Sequence, residues 1–564
     1  MPEQELSHVI GAREPPLIEN TIGVALEEAA KRWGDLTALV SVHQGIRWSY
    51  RELLERADGL AAGFLKCGIE RGDRIGIWSP NCAEWTLTQF AAARIGAIFV
   101  TINPAYRLSE VEYTLNRVGV KALVAAEQFK TSEYATMIEE LAPELPLLRA
   151  EGLSAARLPA LKHAILIGNT SRPGWRPFES LIGIAEGATR RNIIKIGKTL
   201  DRNDAINIQF TSGTTGSPKG ATLSHRNILN NGFFVGRSIG LQPGDRLCIP
   251  VPLYHCFGMV MGNLACITHG AAMVYPSPVF DADAVLKAVQ SERCTGLYGV
   301  PTMFIALLSH PEFGKYDLSP LRTGCMAGSP CPIEVMKQVI AKLNMCDVTI
   351  AYGMTETSPV SFQSSPDDPI ERRVSTIGKV QPHLEVKIVG ENGNTVPRDM
   401  PGEICTRGYS VMLGYWDDPE RTAEAVDSNG WMHTGDIGTI DKDGYGNIVG
   451  RIKDMVIRGG ENLYPREIEE FLHTHPKIAD VQIAGVPDRK YGEELCAWIK
   501  LVSGTQANDA EIRAYCAGRI AHHKIPRYIR FVDAFPMTVT GKVQKFLIRK
   551  QMIEELGLAP EKTA

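Results

Sequence analysis

The chain has 564 residues, too many for one hydrophobic core, so at least two domains are expected. Apolar residues make up 44% and charged residues 22%, ordinary values for a soluble globular protein. A net charge of −4, from 60 bases against 64 acids, supplies no field that would draw nucleic acid or an anionic membrane surface, and no nucleic-acid role is expected.

In chain order, the opening MPEQELSHVI carries acids early and lacks an apolar stretch, so a secretory signal is not expected. Short β-branched runs follow at 37–42, 74–78, 97–102, 121–126 and 164–168, separated by longer helical patterns. Ser49-Tyr-Arg-Glu52 and Ser109-Glu-Val-Glu112 have capping-box spacing and are read as helix starts. Such alternation predicts parallel sheets covered by helices. The segment 247–280 has no Asp, Glu, Lys or Arg, long enough to raise a membrane span. Pro250, Pro252, His255, Asn263 and His269 interrupt it, and it reads as buried core of a large α/β domain. A helix over 281–293, a strand over 296–300 and a helix over 302–309 continue the pattern.

From about Pro382 the texture changes. Short strands at 385–389, 403–407, 437–441 and 446–449, with turns at Glu391-Asn-Gly393 and Lys442-Asp-Gly444, predict an antiparallel subdomain. After Arg451 comes a helix at 466–473, strands at 481–486 and 497–502, a helix at 509–520 and a strand at 528–532. These make a compact α+β unit of roughly 110 residues. The twelve cysteines are scattered; the nearest pair, Cys325 and Cys331, has neither metal nor redox spacing, and free thiols suit a reducing cytoplasm.

The most informative segment is Thr211-Ser212-Gly213-Thr214-Thr215-Gly216-Ser217-Pro218-Lys219-Gly220, which follows the apolar run 205–210 and is expected to leave a strand. Its glycines let backbone approach an anion, its hydroxyls donate hydrogen bonds, and Lys219 adds fixed positive charge. Pro218 stands where a Walker loop has its lysine, and no Ser or Thr follows Lys219, so the P-loop pattern is excluded. Gly236-Arg-Ser-Ile-Gly240 fits a nucleophile elbow by letters alone, but it reads as a helix running into a turn. Gly444-Tyr-Gly446 lacks the third glycine of a dinucleotide loop.

The decapeptide resembles the phosphate-binding signature of the adenylate-forming superfamily: acyl-CoA synthetases, adenylation domains and beetle luciferases. Matching segments follow in order over nearly the whole chain: Pro252-Leu-Tyr-His255, Ala351-Tyr-Gly-Met-Thr-Glu356, Gly402-Glu-Ile-Cys-Thr-Arg-Gly408, Thr434-Gly-Asp436, Gly450-Arg-Ile-Lys453 and Thr540-Gly-Lys542. Arg458-Gly-Gly-Glu-Asn-Leu-Tyr-Pro465 and Lys542-Val-Gln-Lys545 look most like medium-chain fatty acyl-CoA synthetases, including the mitochondrial branch.

The resemblance implies an α/β fold: a large N-terminal domain, 1–452, of parallel βα layers plus an antiparallel β subdomain, and a small mobile α+β C-terminal domain, 453–564, hinged at Lys453. It implies ATP and coenzyme A as co-substrates, Mg²⁺, a fatty or other carboxylic acid, and a cytoplasmic enzyme without a transmembrane segment; a homodimer is compatible with it. Tyr352 corresponds to the adenine-stacking aromatic, with Gly328-Ser329-Pro330 as the opposite wall. Asp436 would accept from both ribose hydroxyls and Arg451 would hold the ribose from the other side. Thr355 and Glu356 match positions at the α-phosphate and the metal; one carboxylate plus ATP oxygens suffices for Mg²⁺, so no dedicated metal cluster is expected. Lys542 resembles the lysine that enters the site for adenylation, and His255 an aromatic gate at the acyl tunnel. Phe233, Phe234, Met303 and Phe304 are candidate tunnel-lining residues. Gly460, with no side chain to obstruct a thiol arm, would flank the pantetheine channel.

Three function classes follow: a CoA ligase; an adenylation enzyme loading a carrier protein, disfavoured because no carrier domain or arm site is seen before Ala564; and a luciferase-like or non-catalytic relative, disfavoured by intact Lys219, Glu356, Asp436 and Lys542.

Overall fold

A computed structural model describes residues 5–147, 152–183, 187–211, 218–458, 461–538 and 541–558. Among these, the strands form four sheets. An eight-stranded sheet is parallel through Ala205–Thr211, Ile98–Thr101, Arg74–Trp78, Val120–Ala125 and His163–Leu166, with Lys219–Ser224 added antiparallel at one side. A nine-stranded sheet is parallel from Asp347–Gly353 through Thr323–Ala327, Gly296–Gly299, Arg246–Cys248 and Ala272–Tyr275 to Thr37–Ser41. The expected strand runs agree with these elements to within a residue or two.

One core joins the two sheets. Ile75, Ile77 and Phe99 from the first and Leu39, Leu247 and Tyr298 from the second pack on Leu53, Leu60, Phe90 and Leu229 of helices between them. Ala83–Ile95, in that layer, is buried on nearly every face and therefore carries no amphipathic stripe. The charge-free segment 247–280 is core, as expected: it contains buried strand Ala272–Tyr275 and short helices at 256–269. No helix of the described residues is long and apolar enough to cross a membrane. Gly236 lies in helix His225–Ser238, so the elbow reading falls away.

The Ser49–Glu52 capping box is present, with both of its reciprocal hydrogen bonds. The second expected box is displaced. Its helix spans Leu108–Val118 and Glu110 accepts from the Arg107 N–H at 2.8 Å, because the chain is already helical at Ser109. The antiparallel subdomain is a five-stranded sheet of His8–Ile10, Leu384–Val389, Gly402–Gly408, Met432–Ile440 and Gly446–Arg451, so the N-terminal segment joins a late part of the chain. Beyond it, Val456–Arg458, Glu461–Leu463, Ile478–Asp488, Gly492–Leu501 and Tyr528–Phe531 form a separate sheet with its own core around Leu472, Val481, Leu495 and Ile499.

Candidate active site

The site lies where the nine-stranded sheet ends at its carboxyl edge, the place where open α/β sheets leave a crevice. Strand Asp347–Gly353 delivers Tyr352 at its end, and the next turn, Thr355–Thr357, buries Thr355 and Glu356. Strand Thr323–Ala327 delivers Gly328, Ser329 and Pro330. From the antiparallel subdomain, Asp436 and Arg451 face each other as register partners on adjacent strands. The Tyr352 hydroxyl donates to Asp436 Oδ2 at 2.8 Å, and Arg451 Nε lies 2.9 Å from Asp436 Oδ1. Asp436 is 5% exposed, a burial tolerable for a carboxylate because both oxygens are engaged. Burial and the Asp436 charge together push the Tyr352 phenol up, so it stays a donor.

The loop flanks return as an antiparallel pair, with Thr211 opposite Lys219. Glu356 Oε1 accepts from Thr211 Oγ1 at 3.1 Å and from the Tyr415 hydroxyl at 2.9 Å, while Lys219 Nζ sits 4.8 Å above the Tyr415 ring. The loop lysine and the candidate metal carboxylate are thus tied to one aromatic residue. Ser212, Gly213, Thr214, Thr215, Gly216 and Ser217 lie outside the described residues, as does Gly460; Pro218 accepts from the Tyr113 hydroxyl at 3.2 Å.

Lys542 enters from the small C-terminal sheet's side of the molecule. Its loop is closed by Thr538, whose Oγ1 accepts from the Lys542 N–H at 3.1 Å and whose N–H donates to the Lys542 carbonyl at 2.8 Å. Thr302 Oγ1, in the first turn of helix Pro301–Leu308, fastens that loop by donating to the Gly541 carbonyl at 3.1 Å. Gly328 has φ +90, and a Cβ there would crowd Val300 at 3.2 Å while only touching Lys542 Cε at 3.5 Å, so glycine serves the backbone conformation. Enclosure, then the Arg451 charge, lower Lys542 to about 8, against the opposing pull of Asp436, Cys256 and Glu356.

A pH dependence follows. If the ammonium form is the one that acts, kcat/KM for adenylation by the free enzyme falls as pH rises through about 8, one proton being lost. Lys542→Ala should lack that limb; a wild-type profile flat through the range would remove Lys542 from the role.

His255 Nδ1 accepts from the Phe257 N–H at 3.3 Å, and burial with the nearby Lys542 charge pushes its imidazole down to about 3, so it is neutral. The four candidate tunnel residues do not share one surface. Phe234 packs with Leu384 and Tyr409, and Phe233 packs against the same cluster with its ring 5.2 Å from that of Phe234 while also stacking on His269; Phe304 belongs to the cluster with Leu321 and Met336. Met303 and Phe304, neighbours on a helix and so about 100° apart, fall in different clusters. Met303 does border a narrow cleft, with Tyr254, Phe280 and Pro252.

Sequence reasoning missed Tyr415, because only the pairing of Gly414–Tyr415 with Lys219–Ser224 brings it to Glu356. It also missed Cys256 and Gln209, whose Sγ to Oε1 contact of 3.2 Å lies in the wall next to His255.

With this geometry in place, comparison with known proteins is decisive. The profile of the AMP-binding enzyme family matches residues 26–416, and that of the AMP-binding enzyme C-terminal domain matches residues 467–542. This chain belongs to the AMP-binding enzyme family. Within it, the chain is an acyl-CoA synthetase by relationship. It is 45% identical over 561 residues to the mitochondrial medium-chain acyl-CoA ligase ACSF2 of Danio rerio, covering 99% of this chain and 92% of that one. It is 48% identical over 545 residues to YngI of Bacillus subtilis (strain 168), described as a candidate acyl-CoA synthetase, covering 96% and 99%. Among solved structures, the anthranilate CoA ligase AuaEII in complex with anthranoyl-AMP superposes with a TM-score of 0.84 at 26% identity, covering 97% of this chain and all of the other. ATP-bound MatB from Rhodopseudomonas palustris gives 0.77 at 27% identity, covering 95% and 99%. In this AMP-binding enzyme, Lys542 lies within the charges of Asp436, Arg451 and Glu356, Tyr352 is bonded to Asp436, and Lys219 meets Glu356 through Tyr415.

Proposed function

We propose that this AMP-binding enzyme is a medium-chain fatty acid–CoA ligase acting in the cytoplasm, with a large unit over 1–452, a small unit over 453–564 and a hinge at Lys453. The observation that carries this is the seating of Lys542 beside Asp436, Arg451 and Glu356, in a chain 45% identical to medium-chain ligases over nearly its full length.

In the first step a carboxylate oxygen attacks the α-phosphorus of ATP, the bond to the bridging oxygen breaks, and pyrophosphate leaves. Two anions meet, so fixed cations placed where charge builds lower the barrier most. Lys542 and Lys219 supply them, while Asp436 and Arg451 hold the ribose, Tyr352 and the Gly328-Ser329-Pro330 wall enclose the base, and Thr355 lies at the α-phosphate. Glu356 fits Mg²⁺: a buried carboxylate held by Thr211 and Tyr415 is an oxygen ligand already fixed in place. When bound, the metal neutralises phosphate charge. His255, neutral and beside the lysine, suits a gate that moves without moving a proton. In the second step the thiol sulfur of coenzyme A attacks the acyl carbonyl, its proton is lost and AMP leaves, with the thiol arm passing Gly460.

A panel of acids from acetate to palmitate, assayed with and without coenzyme A for AMP, pyrophosphate and thioester, tests this. AMP and pyrophosphate should appear only with acid and Mg²⁺, and the thioester only with coenzyme A. Specificity should climb by roughly 0.8 kcal/mol per buried methylene and peak at about six to twelve carbons. ADP and phosphate as products would refute the adenylate route. A maximum at acetate would refute the chain length, and one at benzoate would favour the second reading, a ligase for aromatic acids, which the superposition on an anthranilate ligase supports. Transfer to a carrier protein but not to coenzyme A would make it an adenylation enzyme.

A further inference from the structure

The sheet that presents Asp436 carries a second group of side chains just behind the nucleotide-facing set. Glu403 lies on Gly402–Gly408, and the register sets Cys405 opposite His433 on Met432–Ile440. Glu403 therefore projects beside the turn that follows His433. Its Oε1 accepts from the Gly435 N–H at 3.0 Å, and its Oε2 lies 2.8 Å from His433 Nδ1. The far nitrogen of His433 is 3.9 Å from Asp427 Oδ2, and Asp427 is itself set by the N–H groups of Asn429 and Trp431. From the other edge, Thr434 Oγ1 donates to the Ile404 carbonyl at 2.8 Å and accepts from the Asp436 N–H at 3.2 Å. Between them Gly435 has φ +70 with nothing within 4 Å of its missing Cβ, so backbone restraints rather than packing hold this turn.

We propose that Glu403 is a positioning residue for nucleotide binding: by holding the Gly435 N–H and the His433 ring together, it fixes the Thr434-Gly435-Asp436 turn that offers Asp436 to the ribose. The proposal rests on the reading of Asp436 as the ribose acceptor. Because the Asp436 carboxylate is engaged by Tyr352 and Arg451, any shift of the turn is passed to both, and the consequence falls on ATP affinity more than on the chemical step.

The test measures KM for ATP and kcat in acid-dependent pyrophosphate release, with 2′-deoxyATP beside ATP, for Glu403→Ala, Glu403→Asp, Glu403→Gln and Asp436→Asn. Loss of one hydrogen bond to a charged acceptor should raise the ATP KM roughly tenfold in the Ala and Asp variants, with kcat within about twofold, and should reduce discrimination against 2′-deoxyATP. Glutamine keeps an acceptor for Gly435 and a donor for the ring, so Glu403→Gln should stay close to wild type. Wild-type KM and discrimination in the Ala and Asp variants would overturn the proposal, as would a Gln variant as impaired as the Ala variant; should Glu403→Ala not fold, Glu403→Asp decides. Asp436→Asn separates the two readings. If it changes neither KM nor discrimination, the ribose assignment fails; if it changes both while the Ala and Asp variants change neither, the Glu403 proposal alone fails.

Discussion

Lys542→Ala is expected to form acyl-adenylate more slowly by on the order of a hundredfold or more, while still converting supplied acyl-adenylate to the thioester. The expectation follows from placement. The ammonium group is held on a half-buried loop that Thr302 fastens to helix Pro301–Leu308, close enough to Arg451 for that charge to lower its pKa. A cation fixed there costs no reorganisation when negative charge accumulates at the α-phosphorus, and alanine leaves that charge facing a void. Single-turnover assays begun from acid plus ATP, and separately from synthetic acyl-adenylate, read the two steps independently. Equal loss in both would mean that the lysine supports the fold rather than the first step.

Gly460→Leu is expected to show the opposite pattern, forming adenylate at near the parental rate and failing to transfer it. The strands on either side, Val456–Arg458 and Glu461–Leu463, pair antiparallel in register, which fixes where the intervening residues begin and end. Glycine between them matches the position that flanks the pantetheine arm in similar synthetases, and a branched side chain would occupy the width a thiol arm needs. The same two assays decide it. Thioester formation from synthetic adenylate at the parental rate would show that the arm takes another path.

The order of strands and helices was legible because β-branched runs bounded by Gly and Pro leave little choice of element, as at Arg74–Trp78 and Ile98–Thr101. The candidate nucleotide residues come from motifs, since Thr434-Gly-Asp436 and Gly450-Arg451 are short and contiguous in the chain. What pairing adds was not. Nothing local announces that Asp436 and Arg451 are register partners, that Tyr415 reaches Glu356 across 59 positions, or that Glu403 holds Gly435 across 32. Nor does any local pattern announce how the candidate tunnel residues distribute: Phe233 and Phe234 pack together at Leu384 and Tyr409, whereas Met303 and Phe304 each join another cluster.

The fastening of the lysine loop also bears on timing. Thr302 to Gly541, and Arg466 Nη1 to the Ile448 carbonyl at 2.8 Å, are ordinary hydrogen bonds that tie residues after strand Gly446–Arg451 to residues in or before it, each worth about 1 kcal/mol net. These two bonds form part of a clasp. On the proposed hinge at Lys453, bonds of that size would let the contents of the site set how long Lys542 stays: the triphosphate would favour the docked lysine, and departure of pyrophosphate would remove that preference. A firmer clasp would give a protein that makes adenylate promptly and then holds it, its turnover governed by undocking instead of by bond making.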